Sequence, residues 1–250
     1  MAEPPLLEVK DLRKSFGALA ASDGLSFKVA QGTVHGLIGP NGAGKTTAIS
    51  QIFGETKPDG GQILFDGRDI TRWATTRRVR SGLQRSYQIT SVFDAFTVID
   101  NVSLAVQAAS RSNTPFWSPA RLDRRLTEPA QALVARLGLA DFADREAREL
   151  SHGQRRQLEL AIVLAGAPRL LLLDEPMAGL GPTETEAMTA ILRDVAKGVT
   201  ILLVEHDMDV VFALAERITV LAKGRALADG SPEEIRADPA VREAYLGDHA

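Results

Sequence analysis

The stretch GPNGAGKTT at positions 39–47 constrains this chain more than any other. It fits the spacing G-x-x-x-x-G-K-[ST], follows the apolar run TVHGLIG (33–39), and precedes Ile49, Ile52 and Phe53 at helical spacing that stops at Gly54. The physical logic is that of a phosphate cradle. Glycines let backbone N–H groups turn inward around an anion, Lys45 offers a positive charge to the β and γ oxygens, and the Thr46 hydroxyl can ligate Mg²⁺. A glycine-rich turn ahead of an ordinary helix would not need a strand in front of it, and a strand is there. Gly39, Asn41, Gly42, Gly44, Lys45, Thr46 and Thr47 are therefore the expected nucleotide-binding set.

The surroundings suit an α/β protein. LLEVKDL (6–12) and GLSFKVAQG (24–32) read as strands separated by the turn-rich SFGALAASDG, and QILFDG (62–67) as another behind KPDGG. RLLLLDE (169–175) and TILLVEH (200–206) are near-continuous apolar runs, as expected of strands covered on both faces in a parallel sheet. Residues 183–198 read as the crossover helix between them, and 217–230 as a hairpin turning at Lys223–Gly224. From about Arg72 to Leu150 the pattern is mostly helical, so a split α/β domain with a helical lobe inserted near 75–165 is expected. A C-terminal helix over about 231–250 opens on Ser231, Pro232 and Glu234, a cap, a first-turn proline and a capping-box acid.

Composition removes several alternatives. The 250 residues contain no cysteine, so no disulfide framework, thiolate metal site or cysteine nucleophile is available. The net charge of −3 gives no general attraction to nucleic acid or anionic lipid. The N-terminal MAEPPLLEVKDL lacks a charged-then-apolar signal segment, and no run approaches the ~20 apolar residues needed to cross a bilayer. A cytoplasmic protein is the default expectation.

Asp174 and Glu175 end the strand RLLLLDE. At the carboxyl end of a parallel strand they would face the crevice of the phosphate loop, Asp174 suiting Mg²⁺ and Glu175 placed to orient or deprotonate an attacking water. Glu205, His206 and Asp207 end the next strand. Neighbours in a strand point to opposite sides, so they do not converge on one ion. Asp207 is the expected cap of the helix carrying Val210, Val211 and Leu214, which leaves His206 either free to face a γ-phosphate or simply a polar residue at a strand end. A second anion site is suggested by LSHGQ, where Ser151 and Gly153 stand at the start of a helical run more than a hundred residues beyond the first.

Taken in order, the phosphate loop, Ser151 to Gln154, LLLLDE and His206 make the chain resemble the nucleotide-binding subunit of an ABC transporter along essentially its whole length. Within that family, GLIGPNGAGKTT, FDAFTVIDNV, LLLLDEPMAGL, EHDMDVV and SPEEIRADPAVREAYLG are similar to the ATPases of branched-chain amino-acid importers, and the long segment around SRSNTPFWSP to the larger of that importer's two ATPases. The resemblance implies a P-loop NTPase fold with a RecA-like mixed-sheet core, an N-terminal antiparallel β subdomain and an inserted helical subdomain. It further implies ATP and Mg²⁺ as ligands, with Thr46, Gln88 and Asp174 at the metal, Glu175, His206 and Gln88 at the reacting phosphate, and Phe16 stacked on adenine.

It also answers why there are two anion sites. In this family two subunits meet head to tail, so Ser151, Gly153 and Gln154 would close over the γ-phosphate held by the partner's Lys45. The implied partners are a second ATPase, identical or different, integral-membrane permease subunits that dock near ITSVFDAFTVIDNV (89–102), and indirectly a periplasmic or extracellular solute-binding protein. The implied location is the cytoplasmic side of the inner membrane, peripheral. Phe93 and Phe96 are expected to be partly exposed.

Three positions depart from the family pattern. His152 replaces a glycine, Gly181 stands where many members have Asp, and Tyr87 stands where Phe is common. Rival readings are an ATPase of another export or lipid-extraction system, and a soluble ABC ATPase acting on nucleic acid. The basic stretch Arg72, Arg77, Arg78, Arg80 and Arg85 is the only support for the last, and without an aromatic platform it reads as a solvated helix face.

Overall fold

The computed structural model describes residues 4–86, 92–110 and 123–246. The chain divides into two compact units: residues 1–85, 169–175 and 193–250 form the first, and residues 86–168 and 176–192 the second.

The first unit is built on two sheets. The antiparallel one has the order β2-β1-β4-β5, from β1 (Leu7–Phe16), β2 (Leu19–Val29), β4 (Gly60–Phe65) and β5 (Arg68–Asp69). β1 and β2 run longer than the sequence suggests, because Gly17, at φ +60, turns the chain within two residues and the ladder absorbs its irregularities in register shifts. The second sheet has the order β10-β9-β3-β8-β7-β6. Its members are β3 (Val34–Ile38), β6 (Leu83–Arg85), β7 (Leu170–Asp174), β8 (Thr200–Val204), β9 (Arg217–Ala222) and β10 (Arg225–Gly230). Every pairing is parallel except β9 with β10, which turn at Lys223–Gly224 as expected.

β3, β7 and β8 are buried at every position, which explains their unbroken apolar sequence. Leu170 and Leu172 enter the core shared with Leu7, Val9, Phe27, Ile63 and the helix α1 (Lys45–Phe53), whose Ile49 and Ile52 are fully buried. Beneath the sheet His35 stacks on Phe27, and its Nε2 lies 2.8 Å from the Thr219 hydroxyl. Burial pushes its pKa down to about 4, against the opposing pull of Asp229.

The basic stretch is a solvated face only in part: Arg72, Arg77 and Arg80 are exposed, but Arg78 and Arg85 are not. Arg78, on α2 (Thr75–Arg80), is only 1% exposed and donates from Nη1 to the carbonyls of Gln51 and Ile52, the last turn of α1. Arg85 belongs to β6 and pairs with acids, while Arg77 lies over the Trp73 ring at 3.8 Å. β6 also moves the start of the inserted lobe: the strand is too short, and too rich in Arg and Gln, to announce itself, yet it closes the edge of the parallel sheet.

In the second unit α3 (Val98–Ser110), α4 (Arg124–Arg136) and α5 (His152–Leu164) pack on one another through Val102, Val106, Leu126, Val134 and Leu158. The segment 176–192 also belongs here and includes most of α6 (Pro182–Ala196). Phe93 and Phe96 are about half exposed, as expected, and stack with ring centroids 5.2 Å apart.

After α7 (Met208–Leu214) and β10, the C-terminal region makes two helices where one was expected, α8 (Pro232–Ala237) and α9 (Pro239–Leu246). Pro239 disfavours helical backbone at Asp238, which is extended at φ −71, ψ 118.

Candidate nucleotide site

The site grows from the carboxyl ends of three parallel strands. Leu37 pairs with Val204, and Val204 with Asp174, so β3, β8 and β7 finish level. Gly39 to Gly44, Glu175 and Glu205–His206 therefore leave the same edge of one sheet, where an open α/β sheet holds its ligands.

The loop is held by backbone contact that only glycine permits at two points. Gly44 adopts φ +104, and a Cβ there would stand 2.1 Å from the Ala21 carbonyl oxygen. A Cβ on Gly39 would stand 2.2 Å from that of Leu221. At Gly42, by contrast, φ is +77 and nothing lies within 4 Å, so that face of the loop is open. Lys45 is buried, and its Nζ donates to the carbonyls of Gly39 (2.6 Å) and Pro40 (3.1 Å). Burial lowers its pKa, while the charges of Glu175 and Asp174 act in the opposite sense, so these three groups share one electrostatic neighbourhood.

Asp174 is the buried acid of the set. Its Oδ2 accepts from Arg85 Nη2 at 2.9 Å, and its Oδ1 has no hydrogen-bond partner among the described residues. Burial raises its pKa, opposed by Arg85. Arg85 also reaches Glu55 at 2.5 Å and the Ser50 hydroxyl at 3.1 Å, tying the rear of α1 to the end of β7. Sequence reasoning counted this arginine in a solvated basic stretch and missed its pairing; a charge in a three-residue edge strand gives no periodic signal. Glu175 sits at φ +52, a left-handed backbone that costs a side-chain-bearing residue on the order of 1–2 kcal/mol, and its N–H donates to Val204. Such strain at a strand end next to a phosphate loop marks a position selected for something other than stability.

His206 has a largely exposed side chain, with Nδ1 3.4 Å from the buried Glu205 carboxylate. Glu205 also accepts from the His206 N–H at 3.0 Å and so fixes the turn, another role the sequence left unread. Asp207 caps α7 by accepting from the N–H groups of Asp209 and Val210, as expected. Among the described residues no cluster of His, Asp or Glu gathers as a ready metal cage. A metal at this site would take only part of its coordination from protein: the unpartnered Asp174 Oδ1 and the Thr46 hydroxyl fit Mg²⁺, which keeps several waters. Phe16 stands 53% exposed at the β1–β2 turn with Lys14 over its ring at 5.4 Å. Gln88 and Tyr87 lie outside the described residues.

In the second unit, Ser151 caps α5 in a capping box: its Oγ accepts from the Gln154 N–H (3.3 Å), and Gln154 Oε1 accepts from the Ser151 N–H (2.9 Å). A Cβ on Gly153 would meet Glu184 Oε1 at 2.6 Å, and the other oxygen of Glu184 accepts from the Gly181 N–H. His152 rests its ring against Gly179, so the bulky residue has a place of its own. Sequence reasoning did not single out Glu184.

These features define a class, the phosphate-loop nucleotide-hydrolysing domains. The family model for the ABC transporter matches residues 22–178, and one for the branched-chain amino acid ATP-binding cassette transporter matches residues 227–250. The chain is 39% identical to the high-affinity branched-chain amino acid transport ATP-binding protein BraF of Pseudomonas aeruginosa, covering 98% of both chains. It is 37% identical to the lipopolysaccharide export system ATP-binding protein LptB of Acidithiobacillus ferridurans, covering 97% of both. The ADP conformation of an ATP-binding cassette of an ABC transporter superposes with a TM-score of 0.86 at 30% identity, over 98% of this chain and 100% of that one. This chain belongs to the ABC transporter family, as an ATP-binding and ATP-hydrolysing cassette.

Proposed function

We propose that the chain powers an importer of branched-chain amino acids or a related small organic solute. The match of residues 227–250 to the branched-chain amino acid cassette model carries this reading. The 37% identity to an LptB protein favours, as a second reading, an export or lipid-extraction system. The two separate on what co-purifies from gently solubilised native membranes: two permease chains with a second ATPase and a solute-binding protein support import, and a lipid-handling partner set supports extraction.

In this reading the chain is a peripheral subunit on the cytoplasmic face of the membrane, bound to permease subunits and paired with a second, identical or different ATPase, with no nucleic acid involved. No described helix is long and apolar enough to cross a membrane. The exposed Phe93–Phe96 stack lies in the segment that would dock on the permease.

The chemistry follows from the groups described. The open face of the phosphate loop, with Asn41, Thr47 and the Gly42–Gly44 N–H groups, would hold the β- and γ-phosphates, and Lys45 would leave its loop carbonyls to meet them. Phe16 would stack on adenine. Thr46, Asp174 and Gln88 would hold Mg²⁺, which when bound neutralises phosphate charge. Glu175 would align and deprotonate the attacking water, and His206 would donate to the γ-phosphate. Ser151, Gly153 and Gln154 would close over the partner's γ-phosphate, where α5 offers its N-terminal N–H groups to an anion. Closure and release of that contact would make hydrolysis a switch.

Glu175→Gln tests this. ATP binding should persist and turnover fall by about 10²–10⁴-fold, with a nucleotide-dependent dimer accumulating in size-exclusion chromatography. Steady-state hydrolysis at the wild-type rate would remove Glu175 from the reaction.

A further inference from the structure

Behind α1, at the end opposite the phosphate loop, the first unit has a cavity of about 390 Å³. Its lining includes Arg78, Lys57 and Arg72, together with the Trp73 indole. None of the three cations is within ion-pairing distance of a carboxylate among the described residues, in a chain whose net charge is −3. Arg78 is the decisive member. It is 1% exposed, yet its partners are all neutral: the carbonyls of Trp73, Gln51, Ile52 and Thr71. Buried charges are ordinarily paired, and burial here draws even a guanidinium down to about 10. Of the five N–H donors of an arginine, those four bonds leave one on Nη2 unused.

The nearby acids offset this charge only in part. Asp59, also in the lining, is committed to Lys14 Nζ (2.7 Å) and the Ser15 N–H (2.8 Å). Asp69 accepts from the neutral Gln62 and Thr71, so its carboxylate stays charged and acts from a distance on both Arg78 and Arg72.

We infer that this cavity is a second ligand site, taking a small organic carboxylate of amino-acid size. One Nη2 N–H of Arg78 is left to meet a carboxylate oxygen, Lys57 and Arg72 add charge at the rim, and the indole adds apolar surface. The volume lies at the small end of the ligand-pocket range, which suits an amino acid rather than a nucleotide. Because the site grips the carbonyl end of α1, its occupant sits directly behind the helix that presents the phosphate loop. The inference does not rest on the importer reading.

The test uses the full chain with Trp117 changed to Phe, so that Trp73 is the only indole and its fluorescence reports the cavity. L-Leucine is the probe, leucinamide the control without a carboxylate, and inorganic phosphate the control anion. Saturable quenching by leucine, none by leucinamide, and about tenfold weaker binding for each rim cation removed in K57A and R72A are expected. No saturable response to leucine up to about 50 mM, well beyond weak millimolar binding, would overturn the inference. So would an equal response to leucinamide, unchanged binding in K57A/R72A, or a response to phosphate alone.

Discussion

Alanine at position 44 tests whether the phosphate loop is fixed by backbone contact. The Cβ it adds would stand 2.1 Å from the Ala21 carbonyl oxygen, about 0.9 Å inside the 3.0 Å below which real Cβ atoms are essentially never found. Neither group is a movable side chain: one is strand β2, the other the start of α1. Relieving the contact costs about 1–3 kcal/mol as overpacking, on top of about 1–3 kcal/mol for a side chain at φ +104. Gly42→Ala is the internal reference. Its φ of +77 carries a conformational cost of about 1–2 kcal/mol, but no atom lies within 4 Å, so no displacement is needed. The nucleotide-free G44A protein should therefore be less stable than G42A by about 1–3 kcal/mol, or roughly 2–12 °C in Tm for a chain of this size. Differential scanning calorimetry of both variants reads that difference. In G44A the displaced N–H groups should also weaken ATP binding by at least about tenfold, as a lost charge-assisted hydrogen bond does. Equal melting temperatures together with unchanged ATP affinity would refute the contact as the loop's anchor.

Lys45→Ala should lose ATP binding itself, and retained affinity in a calorimetric titration would count against the loop assignment. For Ser151→Arg the expectation is intact binding with lost hydrolysis, because the damage falls on the partner's site; normal turnover would dismiss the shared-site scheme. His35 supplies the pH prediction. Its folded pKa of about 4 lies below the unfolded 6.5, so the unfolded chain binds the extra proton and stability drops as pH falls through that window. The loss is roughly 3 kcal/mol across the window, seen as a falling denaturant midpoint, and a flat profile between pH 6.5 and 4 would refute it.

What could be read in advance was whatever repeats locally or imposes its own conformation. The phosphate loop, the buried strands β7 and β8, the cap at Asp207 and the turn at Lys223–Gly224 are each written in a few adjacent residues. What escaped depends on partners far away in sequence. Arg78 and Arg85 stand in one basic stretch and share its composition, yet one caps α1 and the other pairs with Asp174, 89 residues on. Nothing in the stretch itself says that α1 ends beside it. Glu184 was missed for the same reason: its meaning comes from the bare Cα of Gly153, more than thirty positions earlier. β6 escaped because three residues are too few for a period.

The left-handed backbone at Glu175 has a genetic consequence. Because this residue is held in a conformation it disfavours, replacement by Asn, which tolerates that backbone better, relieves some backbone strain. If Glu175 has the role proposed above, Asn alleles at this codon should lose function and yet escape the quality control that clears misfolded chains. They would persist as full-length, assembly-competent subunits, and wherever two cassettes share their work such an allele should behave as dominant in a mixed population, whereas an unstable allele such as one at Gly44 should behave as recessive.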